Sequence, residues 1–230
     1  MAHANANLTV FKVVCKPITR WAGQRALVGR NRSRNEPEKG RFTGAEVDRL
    51  LDQSWRAFDD HMPDVSREPT FGSRLNVRLA ALTLAFHETL TGAGIERSYA
   101  TELVADACWK IYQFWGYPGL YLTGLFPARR DPAKHVRPDG TWPMALPFNY
   151  PGYIARYVPT EKGIGFDVVR CPVAEYFRAH GAGDVAVGTW CALDYGLAEI
   201  GGLRLERPCT LAAGQDRCDF RWRPAANRER

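Results

Sequence analysis

The 230-residue sequence lacks most of the signatures that identify an enzyme at sight. It has no phosphate-cradling glycine loop, no dinucleotide fingerprint and no Ser/His/Asp arrangement. Its six cysteines include no Cys-x-x-Cys pair and are too dispersed for the disulfide framework of a small secreted fold. No apolar run approaches the roughly 18 residues of a spanning helix, and the N-terminus carries no signal-peptide core. These absences exclude a disulfide-stapled scaffold and a helical membrane anchor, and set the expectation of free thiols in a reducing cytoplasm. Histidine is also scarce: His61, His87, His135 and His180 stand isolated, and His87, beside an apolar helical face, reads as a core or surface residue rather than a base.

What is present begins with charge. The net charge is +6, but residues 1–41 contribute +7 and residues 221–230 contribute +3, leaving −4 for residues 42–220. A basic arm such as Arg30 to Arg41 can touch phosphate. No recognised nucleic-acid module accompanies it, so it reads as a solvated tail, and neither a nucleic-acid nor a membrane partner is expected. The expected partner is a small-molecule substrate; the oligomeric state has no signature.

Hydrophobic spacing divides the chain into a basic arm (1–41), a helical part (42–126), a proline- and aromatic-rich connection (127–152) and an α+β part (153–223). In the arm, Phe11 to Leu27 reads as a short helix broken at Pro17, with a polar linker from Gly29 to Gly40. Val47, Leu50, Leu51, Trp55 and Phe58 recur at helical spacing behind Thr43, with Glu46 placed for a capping box and a stop near Pro63. A second helix spans about Arg74 to Leu90 with Leu75, Leu79, Leu82 and Phe86 on one face, and a third runs from Ser98 to Phe114. Pro127 to Pro151 holds six prolines with no period, and Trp142, Phe148, Tyr150 and Tyr153 suggest a loop that packs over something.

Beyond it, Tyr153 to Val158 and Gly165 to Arg170 alternate as strands around a turn at Pro159 to Gly163. A helix follows from Pro172 to Phe177 or Arg178, then another from Asp184 to Ile200. Two strands, Leu203 to Leu211 and Cys218 to Arg223, close the chain. The fold class is therefore α+β: a helical N-terminal half and a small antiparallel sheet in β-β-α-α-β-β order.

The chemistry-bearing residues cluster in this last part. Cys171 lies where a strand hands over to a helix, near amides that lower a thiol pKa, and is the first choice of nucleophile; its alternative is a small buried apolar residue. Cys191 and Asp194 are three apart on one helical face and can orient a water or pass a proton, although Asp194 also suits a capping role. Cys218 shares its strand face with Phe220 and Trp222, so it points inward while Asp219 points away, and core packing is its rival role. Cys15, Cys108 and Cys209 read as structural. Three thiols and a carboxylate make a zinc set in principle, but their spacing fits no common pattern, so no cofactor is expected, with zinc as the alternative.

The ordered motifs resemble the L-2-amino-thiazoline-4-carboxylic acid hydrolase family. They are Arg170, Cys171, Ala174, Glu175 and Tyr176; then Cys191 and Asp194; then Leu205 and Arg207; then Thr210, Leu211, Ala212, Gly214, Asp216, Cys218, Asp219 and Phe220, within residues 153–223. The resemblance implies hydrolysis of a non-peptide carbon–nitrogen bond, water opening a cyclic amidine to give a carbamoyl cysteine. Cys171 would attack or hold a water-activating metal, Asp194 would act as general acid/base, and Cys191 and Cys218 would complete the pocket. Arg207 or Arg170 would clamp a substrate carboxylate, Arg170 less readily because it points away from Cys171. Two other classes stay open: a sensor-like module that binds without turnover, and a thiol-based carbon–metal or carbon–sulfur lyase.

Overall fold

The computed structural model describes residues 2–62, 68–116, 147–200 and 202–225. His135, Trp142, Pro63 and all of the 127–152 connection before residue 147 lie outside them. The chain begins with α1 (Ala2–Leu27), α2 (Gly44–His61), α3 (Phe71–Gly92) and α4 (Arg97–Ile111), the last running on into a π turn (Tyr112–Gly116). Then come β1 (Ile154–Val158), β2 (Ile164–Arg170), α5 (Pro172–Ala179) and α6 (Gly183–Ala186). A second π turn (Val187–Cys191) leads to α7 (Ala192–Ile200), followed by β3 (Leu203–Glu206) and β4 (Cys218–Pro224). The α+β class expected from the sequence is the one observed, a helical half followed by a four-stranded antiparallel sheet in the order β1-β2-β4-β3.

The N-terminal segment corrects the sequence expectation. It is one continuous helix through Pro17, because Pro17 lies on the solvent side, where the carbonyl it frees at Val13 meets water. Its other side is core: Phe11, Ala22, Ala26 and Leu27 are buried. The linker after it is held too, since Arg30 reaches Glu102 (2.5 Å) and Asp106, Arg32 reaches Glu46 (2.6 Å) and Arg34 reaches Glu102. The arm's charge is largely spent on the molecule itself rather than on a solvated tail.

In α2 the Thr43 hydroxyl accepts from the Glu46 amide (3.3 Å), and Val47, Leu50, Leu51, Trp55 and Phe58 are buried as spaced. α3 departs from the one-faced helix expected: Val77, Ala80, Ala81, Leu84 and Ala85 are buried as well as Leu82 and Phe86, while Leu75 and Leu79 are only partly covered. The reason is its central position, touched by α2, α4 and α5. It therefore joins the helical half to the helix that follows Cys171.

The sheet needs two local devices. Gly163 takes φ +85° between β1 and β2, and a Cβ there would lie 1.9 Å from the Trp222 carbonyl oxygen; only glycine fits. In the β1–β2 ladder Ile154 pairs with Arg170 and Ala155 with Val168, so Val169 is an extra residue. Such a bulge resets the alternation of side chains. It returns Cys171 to the inner face, with Val168, Ala155 and Cys218.

Other expectations were too long or too regular. The strand expected over Leu203 to Leu211 ends at Glu206, and Leu211–Ala213 is a 3₁₀ turn that brings Thr210 beneath the sheet, leaving Cys209 in a loop. The helix expected from Asp184 to Ile200 is interrupted by the π turn ending at Cys191. Gly196 lets this helix lie against α4, where a Cβ would approach Trp109 to 2.8 Å. Among the described residues no helix is long and apolar enough to cross a membrane.

Candidate active site

The three thiols singled out by the sequence come together. Cys218 begins β4 on the inner face and is buried. Its Sγ donates to Thr210 Oγ1 at 3.5 Å, while Cys191 Sγ lies 3.6 Å from the same hydroxyl, so one oxygen bridges the two sulfurs. The Leu211 amide also donates to Cys218 Sγ (3.2 Å). Cys171 packs against the sheet cluster that contains Cys218 on one side and, with Cys191, against the cluster around Phe177 on the other, and it feels both other thiols electrostatically. Asp219 faces away, accepting from the Cys209 amide at 2.7 Å.

Cys171 caps α5 with extended backbone, and Pro172 fills the first helical position. Burial pushes its thiol far above the ordinary value; the amides of Val173 and Ala174 oppose that rise, and the nearby Cys191 and Cys218 add to it. Neither amide closes a cap hydrogen bond to the sulfur. Cys171 therefore rests as a neutral thiol, contrary to the depressed pKa expected at a helix N-terminus, because loss of hydration outweighs the few amides that face it. Burial likewise raises Cys191 to about 11, with Arg207 lowering and Asp194 raising it.

Asp194 opens α7. Burial raises its carboxyl above the usual range, while the charge and hydrogen bond of Arg207 hold it down. The Arg207 Nη1 donates to Asp194 Oδ2 at 2.5 Å and Nη2 to the Cys191 carbonyl at 2.7 Å. This guanidinium also lies over the rings of Tyr195 (5.2 Å) and Phe220 (4.9 Å). Arg207 is thus a buried tie between β3's end and the π turn, and little of it is left for a substrate carboxylate. Its Nε has no partner among the described residues.

Arg170 is committed elsewhere. Its Nη2 donates to Glu68 Oε1 (3.0 Å) and Oε2 (2.9 Å), and its Nη1 to the carbonyls of Pro151 (3.2 Å) and Gly152 (2.5 Å). Both of its terminal nitrogens are thus engaged within the protein. Glu68 is itself buried, which makes this pair a strut between the start of α3 and the hairpin.

Sequence reasoning missed several groups. Thr210 belongs to a quoted motif but its bridging hydroxyl had no sequence signal. Tyr112, in the first π turn, stands near enough to Asp194 for that charge, added to burial, to raise its phenol far above normal. Tyr153 is buried with its hydroxyl accepting from Asn76 Nδ2 at 2.9 Å. π turns recur beside functional sites, and here one ends at Cys191 and the other carries Tyr112.

Cys15 and Cys108 pack among apolar side chains, and burial raises each to about 11. His87 is a satisfied core histidine, with Nε2 3.1 Å from Thr101 Oγ1, and burial lowers its pKa. His61 and His180 are not isolated in space: their rings lie 5.4 Å apart, and His61 reaches Glu88 at 2.8 Å. Among the described residues no three His, Cys, Asp or Glu side chains are arranged to hold a metal ion. Two open clefts, of about 450 Å³ beside Arg41 and Tyr99 and about 430 Å³ beside Trp21 and Phe114, contain none of these thiols.

Residues 138–222 match the model of the L-2-amino-thiazoline-4-carboxylic acid hydrolase family, the family that the motifs resemble. The match takes in Cys171, Cys191, Asp194, Arg207, Thr210 and Cys218. No curated protein and no solved structure matches the chain.

Proposed function

We propose, from the family match over residues 138–222, that this protein is a hydrolase that opens the ring of a cyclic amidine of the 2-aminothiazoline carboxylate type, with Cys171 as nucleophile. The observation that carries the reading is the convergence of Cys171, Cys191 and Cys218 beside Asp194 within the matched region. The electrostatics favour such a substrate. Cys171, Cys191, Tyr112 and Tyr153 are all acids that burial holds toward their neutral forms, while Asp194, though raised by burial, is paired with Arg207. A guest bearing a basic amidine supplies the proton acceptor that such an array lacks, since it can take the proton of the thiol it meets.

The Cys171 Sγ bonds to the amidine carbon while its proton passes to the amidine nitrogen. The ring C–S bond then breaks, and the departing sulfur takes a proton from the amidinium so formed, leaving an isothiourea on Cys171. Water, giving a proton to Asp194, adds to the same carbon; the carbon–Cys171 bond breaks, the proton returns to the thiol, and the carbamoyl product leaves. Breaking the ring C–N bond instead would give an S-carbamoyl product with no free thiol, so the appearance of free thiol distinguishes this C–S route from the C–N cleavage of the general class.

The test is incubation of purified protein with L-2-aminothiazoline-4-carboxylate, following free thiol with and without a chelator. Thiol release that ignores the chelator is expected. Release abolished by the chelator would replace direct thiol attack by a metal-activated water. Saturable protection of Cys171 from alkylation without product would favour the binding-module reading.

A further inference from the structure

We propose that Tyr153, oriented by Asn76 of the helical half, is the hydrogen-bond donor that faces Cys171 during ring opening. This rests on the ring-opening reading above and adds to it a group that the sequence motifs did not include.

The placement follows from the ladder. Beyond the last registered pair, Ile154 with Arg170, the next two residues to face each other are Tyr153 and Cys171. Opposed residues of antiparallel strands point to one side, and the extra Val169 makes that the inner side, which Cys171 shares with Cys218. Tyr153 is 4% exposed and Asn76, on α3, is also 4% exposed. A phenylalanine would pack as well against Phe148, whose ring is 5.2 Å away, so packing alone does not call for a phenol.

The direction of the hydrogen bond matters. Asn76 Nδ2 donates to the phenol oxygen at 2.9 Å, which leaves the phenol's own proton to be given elsewhere. Among the described residues no acceptor takes it. Burial first, and then the ionisable Cys171 beside it, keep this phenol neutral at working pH; the Asn76 hydrogen bond opposes them, Glu68 adds less than Asn76 takes away, and Arg170 opposes least. A neutral phenol that keeps its proton is a fixed donor toward charge that develops beside it. In the step written above, that charge appears on the departing sulfur and on the Cys171 sulfur; Tyr153 stabilises it without exchanging a proton.

The experiment compares Tyr153→Phe and Asn76→Ala with the unaltered protein in three readouts: kcat and KM for L-2-aminothiazoline-4-carboxylate, Tm, and the rate of Cys171 alkylation by iodoacetamide, resolved by peptide mapping at about pH 8 to 10. Tyr153→Phe is expected to lower kcat about 10²-fold with KM changed by less than about threefold, as for loss of one preorganised donor, and to slow Cys171 alkylation severalfold at little cost in Tm. Asn76→Ala, which leaves the phenol but frees it, is expected to lower kcat about 10-fold. Wild-type kcat and wild-type alkylation in Tyr153→Phe would overturn the proposal. If the unaltered protein does not open the ring, the ring-opening reading fails, and the alkylation comparison alone decides whether the phenol faces Cys171.

Discussion

Cys108 in the helical half and Cys171 in the α+β part are both free thiols, both set among apolar side chains and both raised by burial. They differ in their neighbours. Cys108 has one polar contact, the Thr83 hydroxyl at 3.9 Å, and the remainder of its surroundings is helix packing. Cys171 has helix-terminal amides, two further thiols and a phenol across the strand. The lesson is that burial of a cysteine says nothing about its use; convergence of unlike polar groups does, since a core requires none of them.

The comparison can be strained most severely at Arg207. Arg207→Met leaves Asp194 without its ion pair and the Cys191 carbonyl without a donor, and should cost about 3 kcal/mol of stability as well as turnover, read by denaturant unfolding. A comparable replacement of Arg20, whose pair with Asp48 is exposed, should change stability by less than about 0.5 kcal/mol. Asp194→Asn keeps a hydrogen bond to Arg207 but cannot take a proton from water; kcat should fall about 10²-fold with the fold intact.

Thiol titration tests what the two regions share. Unfolded, these thiols ionise near 9, whereas in the fold Cys15, Cys108 and Cys191 hold their protons to about 11 and Cys171 beyond that. The unfolded chain thus binds fewer protons above pH 9, and stability should fall as pH rises through that window, by up to about 1.4 kcal/mol per pH unit for each thiol. Removing Cys108 or Cys171 should flatten the slope alike. Smallest of all, Thr210→Val removes the hydroxyl shared by Cys191 and Cys218 and should cost about 0.5–1 kcal/mol, read by denaturant unfolding.

The elements of regular period were legible in the sequence: α2 from Thr43 and its apolar spacing, the β1–β2 hairpin from alternation, α5 from Cys171-Pro172. What escaped notice was local irregularity that tertiary contacts decide. Pro17 reads as a break unless one knows that it faces water. Val169 looks like any strand valine, yet as the bulge residue it sets which side Cys171 faces. Cys191 and Asp194 read as a simple helical pair, and the π turn between α6 and α7 has no sequence mark. The motifs named Cys171, Cys191 and Cys218 but left their convergence open, and the ion pairs of Arg170 with Glu68 and of Arg207 with Asp194 had no sequence mark because the partners lie 102 and 13 positions away. Asn76 offered a faint signal, a polar side chain between Leu75 and Val77.

The most direct measurement is the rate of free-thiol release from L-2-aminothiazoline-4-carboxylate by Cys171→Ser beside Cys108→Ser, with Tm recorded for both. The account predicts that Cys171→Ser releases none while melting like the unaltered protein, and that Cys108→Ser keeps its rate within about twofold even if it melts lower. Equal rates in the two variants would contradict it.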